Sequence, residues 1–194
     1  SAEGEHSARW VAGALEAASR RGAPAPQGSP VAVDGGDGAG AAVAVTGPRS
    51  EPLAACVEAI RNRGGEALAI QCDQRSREQV ETAVARVVEW KGKVDILVNN
   101  AGIYPPSLFL SVEEEQWLDV MDTNINGPFR FSQACARVMA QHGWGRIINI
   151  LSPSAVLGFV MVSAYGTSKG ALAGKRTMRP PFWFALITWM LCMA

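Results

Sequence analysis

Residues 94–102 read Val94-Asp95-Ile96-Leu97-Val98-Asn99-Asn100-Ala101-Gly102. A short apolar run, interrupted by one aspartate, leads straight into asparagines and small residues. That is the pattern of a buried strand entering a loop. Small residues and a glycine at the strand end let a ligand approach the backbone. An ordinary Asn-rich turn has the same composition.

The same alternation extends outward on both sides. Upstream, Ala41–Thr46 (AAVAVT) and Ala67–Cys72 (ALAIQC) are short apolar strands. Between them Glu51–Arg63 carries Leu53, Val57 and Ile60 at helical spacing, and Gly64-Gly65 stops the helix. Arg77–Trp90 is a helix with Val80, Val84, Val87 and Val88 on one face. Downstream, Val112 to about His142 is mostly helical, with a break expected near Asn124–Pro128. Arg146–Leu151 (RIINIL) is a fourth strand, and Ser163–Gly174 begins another helix. Strands alternating with helices imply an α/β fold, a parallel sheet covered on both faces. The expected architecture is a Rossmann-like doubly wound sheet.

Composition sets limits around this core. Eighteen basic and eighteen acidic side chains give zero formal net charge, so no basic excess points to nucleic acid. Hydrophobic residues make up 48% of the chain and charged ones 19%, a globular balance that excludes disorder throughout. Cys56, Cys72, Cys135 and Cys192 are far apart, which indicates neither a disulfide framework nor a zinc site. The expected location is cytoplasmic. Glu3, Glu5, His6 and Arg9 precede any apolar run, so no signal peptide is expected.

The two ends differ from the middle. Ala, Gly and Pro fill 26 of the first 50 residues, and residues 1–40 read as a linker-like leader. Within it, Val11–Arg21 is a candidate helix, and Pro30–Val33 (PVAV) is a short strand candidate ahead of the Gly35–Gly40 loop. Gly36, Gly38 and Gly40 are spaced G-x-G-x-G, but a strand follows them where a phosphate loop needs a helix. Residues 174–194 form an atypical apolar tail. Its last 14 residues carry no charge, yet they are shorter than the ~20 a membrane-spanning helix needs. A buried tail is the blander expectation, a membrane-associating one the alternative.

Three further positions carry chemistry. Tyr165 and Lys169 form Y-x-x-x-K, one helical turn apart. An ammonium beside a phenol favours the phenolate, which makes the tyrosine a usable acid or base nearer neutral pH. The same pair also serves simply to cover a helix surface. Ser152 stands 13 residues before Tyr165, just past a strand, where ligands bind in such folds. It could donate to a substrate oxygen or merely cap a turn. Asn124 sits in a helical stretch that asparagine disfavours, and it could hold a local break and a water.

The order strand, NNAG, Asn124, strand end, Ser152, Tyr165, Lys169 resembles the short-chain dehydrogenase/reductase family. The motifs are "DILVNNAG", "TNINGPF", "RIINILS" and "YGTSKGAL", within a Rossmann-like core over residues 41–173. The resemblance implies hydride transfer between a nicotinamide cofactor and a small carbonyl or alcohol substrate. It implies Tyr165 as the general acid/base, with Lys169 depressing its pKa and binding the nicotinamide ribose. Ser152 would polarise the substrate oxygen, and Asn124 would anchor a water-linked proton relay through Lys169. Asn99, Ala101 and Gly102 would line the adenosine side of the cofactor, and Asp73 would meet the adenine. Helix 112–142 would offer a surface for a homo-oligomer.

Departures from the family pattern matter as much. A phosphate loop T-G-x-x-x-G-x-G starting at Thr46-Gly47 would need glycines where Glu51 and Leu53 stand. The element count also makes AAVAVT the family's second strand, leaving the first without a clear counterpart. Thr46 and Arg49 then fall where the family reads the adenosine ribose. Arg49, with no carboxylate at the strand end, favours NADP over NAD. After Gly170-Ala171-Leu172, Pro180-Pro181 interrupt the family's continuation. The fold is therefore expected to be incomplete at both ends. The alternative to an oxidoreductase is a truncated or variant chain without catalysis, either a partner-binding relative or one that does not fold stably.

Overall fold

The computed structural model describes residues 41–174, together with the backbone of strands at 30–32 and 184–190. The candidate helix Val11–Arg21 and the glycines at 36, 38 and 40 lie outside the described residues. The elements run β1 (Pro30–Ala32), β2 (Ala42–Gly47), α1 (Ser50–Asn62), β3 (Glu66–Gln71), α2 (Arg77–Lys91) and β4 (Ile96–Asn99). They continue through α3 (Glu114–Met121), α4 (Gly127–Gln141), β5 (Gly145–Leu151), α5 (Ser163–Gly174) and β6 (Phe184–Met190). The sheet is parallel, with order β3-β2-β1-β4-β5-β6.

That order is the doubly wound one. It places Ala42–Gly47 second in sequence and beside the centre, as the element count required. The central position is held by β1, a strand of 3 residues inside the stretch expected to be linker. Val31 pairs with Val43 on one side and with Ile96 on the other. Three residues are too few for a periodic signal, which is why flanking Gly and Pro dominated the sequence there. Part of the apolar tail joins the sheet. Phe184–Met190 lies parallel to β5 along its length, from Gly145↔Phe184 to Leu151↔Met190. An apolar stretch too short to span a bilayer is long enough for a strand.

Period-two alternation sorts the buried side chains onto two faces. Val43, Val45, Ile96, Val98, Ile148 and Ile150 form one layer with Leu53, Val57 and Ile60 of α1. Ala44, Leu97 and Ile147 face the other way, against Val80, Val84 and Val87 of α2 and Phe131, Cys135 and Met139 of α4. The α2 helix is fixed at both ends: Ser76 Oγ accepts from the Gln79 amide, and Gly92 closes it at φ 79°. The expected helical break between α3 and α4 is a π-turn over Asp122–Asn126, with Asn124 buried inside it. Such turns insert an extra residue into the helix and recur at functional sites.

Because the strands are parallel, the carboxyl ends of β2, β3, β4 and β5 share one edge. That edge and the loops leaving it carry Thr46–Arg49, Cys72–Arg75, Asn100–Ile103 and Ser152. Among the described residues, no helix is long and apolar enough to cross a membrane.

Candidate active site

One end of the site is a cleft of about 460 Å³ over the carboxyl ends of β2, β3 and β4. Thr46, Arg49, Asp73, Ala101 and Gly102 all line it, so five sequence-predicted positions converge. Arg49 is exposed and caps α1 in an extended conformation. Glu51 and Leu53 belong to α1, and Leu53 is buried in the core, so no phosphate loop runs from Thr46-Gly47. A Cβ on Gly102 would stand 3.0 Å from Asn124 Oδ1, which leaves a glycine as the natural occupant.

Asp73 is not idle in this cleft. The Arg75 guanidinium donates to both its carboxylate oxygens and also to Asp119 Oδ1 at 2.8 Å. That bonding holds the Asp73 carboxyl below the usual carboxylate range. Arg75, which sequence reasoning passed over, therefore sets the orientation of a predicted adenine contact. The only signal available was its position two residues after Asp73.

Asn99 does not line the cleft. Its amide donates to Ser132 Oγ at 3.1 Å and to Asn149 Oδ1 at 2.9 Å, between the strands and α4. Strand alternation turns it into the protein, while the residues after it face the cleft. Asn124 is likewise spent on structure. Its Oδ1 accepts from the Ile103 amide at 2.8 Å, and its Nδ2 donates to Ile103 O and to Ser168 Oγ, each at 3.0 Å. Ser168 Oγ in turn donates to Tyr165 O at 2.7 Å. Asn124 thus ties the loop after β4 to α5. Its side chain does not point a donor at Lys169.

The catalytic candidates meet where α5 crosses the end of β5. Ser152 Oγ accepts from the Ser154 amide at 3.3 Å and from the Ser154 hydroxyl at 2.9 Å. Both lone pairs are then used, and the Ser152 proton remains to donate. Desolvation raises the Tyr165 pKa, while a hydrogen bond from Ser152 pulls it down by favouring the phenolate. Lys169 Nζ lies 5.5 Å from the centre of the Tyr165 ring. It is 4% exposed and donates to Ile150 O at 2.9 Å.

The expected phenol–ammonium relation is therefore corrected. Burial pushes the Lys169 pKa down to about 8, and Tyr165 is raised rather than lowered. The lysine proton is aimed at a carbonyl, and the dry site penalises both charges. Tyr104 was also missed. Its ring centre lies 5.1 Å from that of Tyr165, the two tilted by 60°. Nothing in the local pattern marks an aromatic after NNAG as facing a residue 61 positions later.

The close approach of α5 depends on a glycine. A Cβ on Gly166 would come within 2.9 Å of Ser154 O. Next to Tyr165, this is the position where helix and serine turn touch.

Comparison with known proteins follows the same residues. The family model described as short chain dehydrogenase matches residues 33–178. The short-chain reductase protein NovJ of Streptomyces niveus is 42% identical over 135 residues, which is 70% of this chain and 51% of NovJ. The actinorhodin polyketide ketoreductase solved with NADPH superposes with a TM-score of 0.68 at 38% identity, covering 70% of this chain and 52% of that one. An NAD+-bound xylitol dehydrogenase gives a TM-score of 0.76 at 30% identity, covering 84% and 68%. The chain spans about half the length of the curated relatives it matches.

Two outcomes follow from the geometry. Gly166→Ala forces Cβ against backbone, so overpacking of about 1–3 kcal/mol outweighs the ~1 kcal/mol helix gain. Gly170→Ala, whose Cβ meets Ala155 O at 3.4 Å, should be neutral or stabilising when both variants are melted beside wild type. Gly166→Ala melting at or above wild type would refute the close-contact argument. Lys169 gives a pH signature. Between pH 8 and its ordinary 10.5 the unfolded chain binds more protons than the folded one, so stability rises with pH. The stability of wild type relative to Lys169→Met should therefore climb from pH 8 to 10, and a flat difference would contradict the burial cost.

Proposed function

This chain belongs to the short chain dehydrogenase family, and on that premise we propose that it is an NADP-preferring oxidoreductase acting on a carbonyl or alcohol. The observation that carries the proposal is the meeting of Ser152, Tyr165 and Lys169 at one strand end beside the cleft. The reductase names of NovJ and of the NADPH-bound ketoreductase agree with the direction and with the cofactor. The xylitol dehydrogenase with NAD+ keeps the second nicotinamide cofactor within the family's range.

The residues present fit such a cofactor at two points. Thr46, Ala101 and Gly102 offer small side chains for close approach of an adenosine, and Asp73 offers an acceptor to its amino group. Arg49, exposed at the start of α1, would pair with a 2′-phosphate. Tyr165 and Lys169 supply donors for the nicotinamide ribose. When bound, the reduced cofactor supplies the hydride.

The protein's own part is proton handling. Ser152 donates to the substrate oxygen or to the phenolate, whichever carries more charge. Tyr165 gives its proton to the carbonyl oxygen as negative charge develops there. Desolvation raises its pKa and the Ser152 hydrogen bond opposes that rise, so the serine favours proton release to the substrate. Lys169 then faces a new phenolate, and its ammonium, costly while alone in the apolar site, is stabilised by that charge. The buried setting strengthens this pairing because water is kept out.

Tyr165→Phe should lower NADPH-dependent ketone reduction by about 10²–10⁴-fold while NADPH fluorescence enhancement persists. Retained turnover would remove Tyr165 from the mechanism. A cooperatively melting protein with no NADPH binding would instead indicate a non-catalytic relative. Arg49→Ala should weaken NADPH binding by about 1–3 kcal/mol and leave NADH unchanged, in line with a charge-assisted hydrogen bond. Equal effects on both cofactors would remove Arg49 from the choice between them.

A further inference from the structure

The π-turn between α3 and α4 does not satisfy its own backbone. Over Asp122–Asn126 the hydrogen bonds span five residues, and the Gly127 amide donates to Asp122 O. In that register the donor for Thr123 O would be the amide of residue 128. Residue 128 is Pro128, which has no N–H. Thr123 O is therefore left without a partner inside the helix. An unpaired carbonyl away from water costs free energy, so a donor from outside the helix is favoured there.

Gln74, in the loop after β3, supplies that donor. Its Nε2 donates to Thr123 O at 3.0 Å. The side chain lies against Gly127, where a Cβ would stand 2.6 Å from Gln74 Cγ and 2.7 Å from Cδ. The Gln74 backbone is held too. Arg130 Nη1 donates to Gln74 O at 3.3 Å, while Arg130 Nη2 donates to Asp122 Oδ1 at 2.9 Å. About one turn before Thr123, Asp119 accepts from Arg75 Nη1. Residues 74 and 75 thus grip the outer side of the π-turn.

The inner side carries Asn124, the residue next to Thr123. It bonds the Ile103 amide and carbonyl and Ser168 Oγ, and Ser168 Oγ donates to Tyr165 O. Return of the π-turn to α-helical register would rotate Asn124 by about 100°, one residue's turn, away from these partners. In that register the Gly127 amide would go to Thr123 O, the acceptor that Gln74 already occupies. The two arrangements are discrete, and the Gln74 bond selects one of them.

We infer that Gln74 is a positioning residue for the reaction: by occupying Thr123 O it fixes the π-turn, and through Asn124 and Ser168 it holds Tyr165 in place. Its bearing on turnover rests on the oxidoreductase reading, and its hold on Asn124 does not. Gln74 is also the neighbour of Asp73, so the loop proposed to meet the cofactor base is the one that steadies the helix bearing Tyr165.

The test compares Gln74→Met and Gln74→Glu with wild type in the full chain. Both variants keep the length of the side chain, and at neutral pH both lack the donor. Without cofactor, the Ile103 amide, whose acceptor is Asn124 Oδ1, should exchange its hydrogen about three- to tenfold faster in both, the worth of one neutral hydrogen bond. The Arg146 amide, bonded to Asp95 O at the other end of the sheet, should exchange as in wild type. Unchanged exchange at Ile103, or equal acceleration at both amides, overturns the inference. An effect in Gln74→Met that Gln74→Glu does not share would trace to packing on Gly127 and overturns it as well. With NADPH and a panel of aliphatic and aromatic ketones, kcat should fall about three- to tenfold, while the NADPH Kd read by fluorescence stays unchanged. A weaker Kd with kcat unmoved confines Gln74 to the cofactor loop: the positioning role fails and the oxidoreductase reading stands. If the wild type reduces no ketone, that reading fails on its own, and exchange at Ile103 decides whether Gln74 holds Asn124.

Discussion

Parallel pairing is the constraint from which the site follows. With β3, β2, β1, β4, β5 and β6 all running one way, β2, β3, β4 and β5 deliver their exit loops to the same edge. Among the described residues the chain then returns across a face, and apolar helix stripes cover those faces. Val43 and Ala44 point to opposite layers, as do Leu97 and Val98. Neither layer can be lost without exposing the other side of the same strands. The position of the cleft is thus a consequence of core packing.

Where α5 meets β5, stability and chemistry pull against each other. A lysine with 4% exposure and one carbonyl partner is an expensive residue to bury. The same burial removes water from around Tyr165 and raises its pKa. Both charges are therefore disfavoured singly and favoured together, a setting that couples proton loss from the phenol to charge on the lysine. The helix can sit that close only because Gly166 has no side chain to strike Ser154 O.

The long, periodic elements were legible in the sequence. Leu53, Val57 and Ile60 announced α1, and the Val-rich face of Arg77–Lys91 announced α2. The break at Asn124 was legible as well, because asparagine is a poor occupant of a helix interior. Residue order singled out Ser152, Tyr165 and Lys169, which lie together where α5 meets the end of β5. Short strands were less legible: Pro30–Val33 read as a strand candidate only, being too brief for periodicity, and Phe184–Met190 gave only apolarity, which a strand shares with other buried segments. Side-chain direction was not legible. Asn99 and Ala101 stand two residues apart, yet one bonds Ser132 inside the protein and the other lines the cleft. Partners such as Arg75 and Tyr104 come from loops, whose paths no local pattern encodes.

The cleft's charge bears on how a cofactor would enter it. Arg49 and Arg75 face Asp73 and Asp119 there, two cations against two anions. Arg75 is bonded to both carboxylates, so its charge is already answered within the protein. An adenine seated by Asp73 would share that carboxylate with Arg75 rather than meet a bare one, which weakens the contact but fixes its direction. A phosphate on the ribose would find Arg49 at the start of α1, where backbone amides add to the side chain's charge. On the proposed reading, selection between the two nicotinamide cofactors would fall to the loop after β2, and recognition of the base, common to both, to the loop after β3. The two loops leave adjacent strands, about one strand spacing or roughly 5 Å apart, and are tied together where Gln71 Nε2 donates to Pro48 O at 3.0 Å and the Cys72 amide to Gly47 O at 2.8 Å.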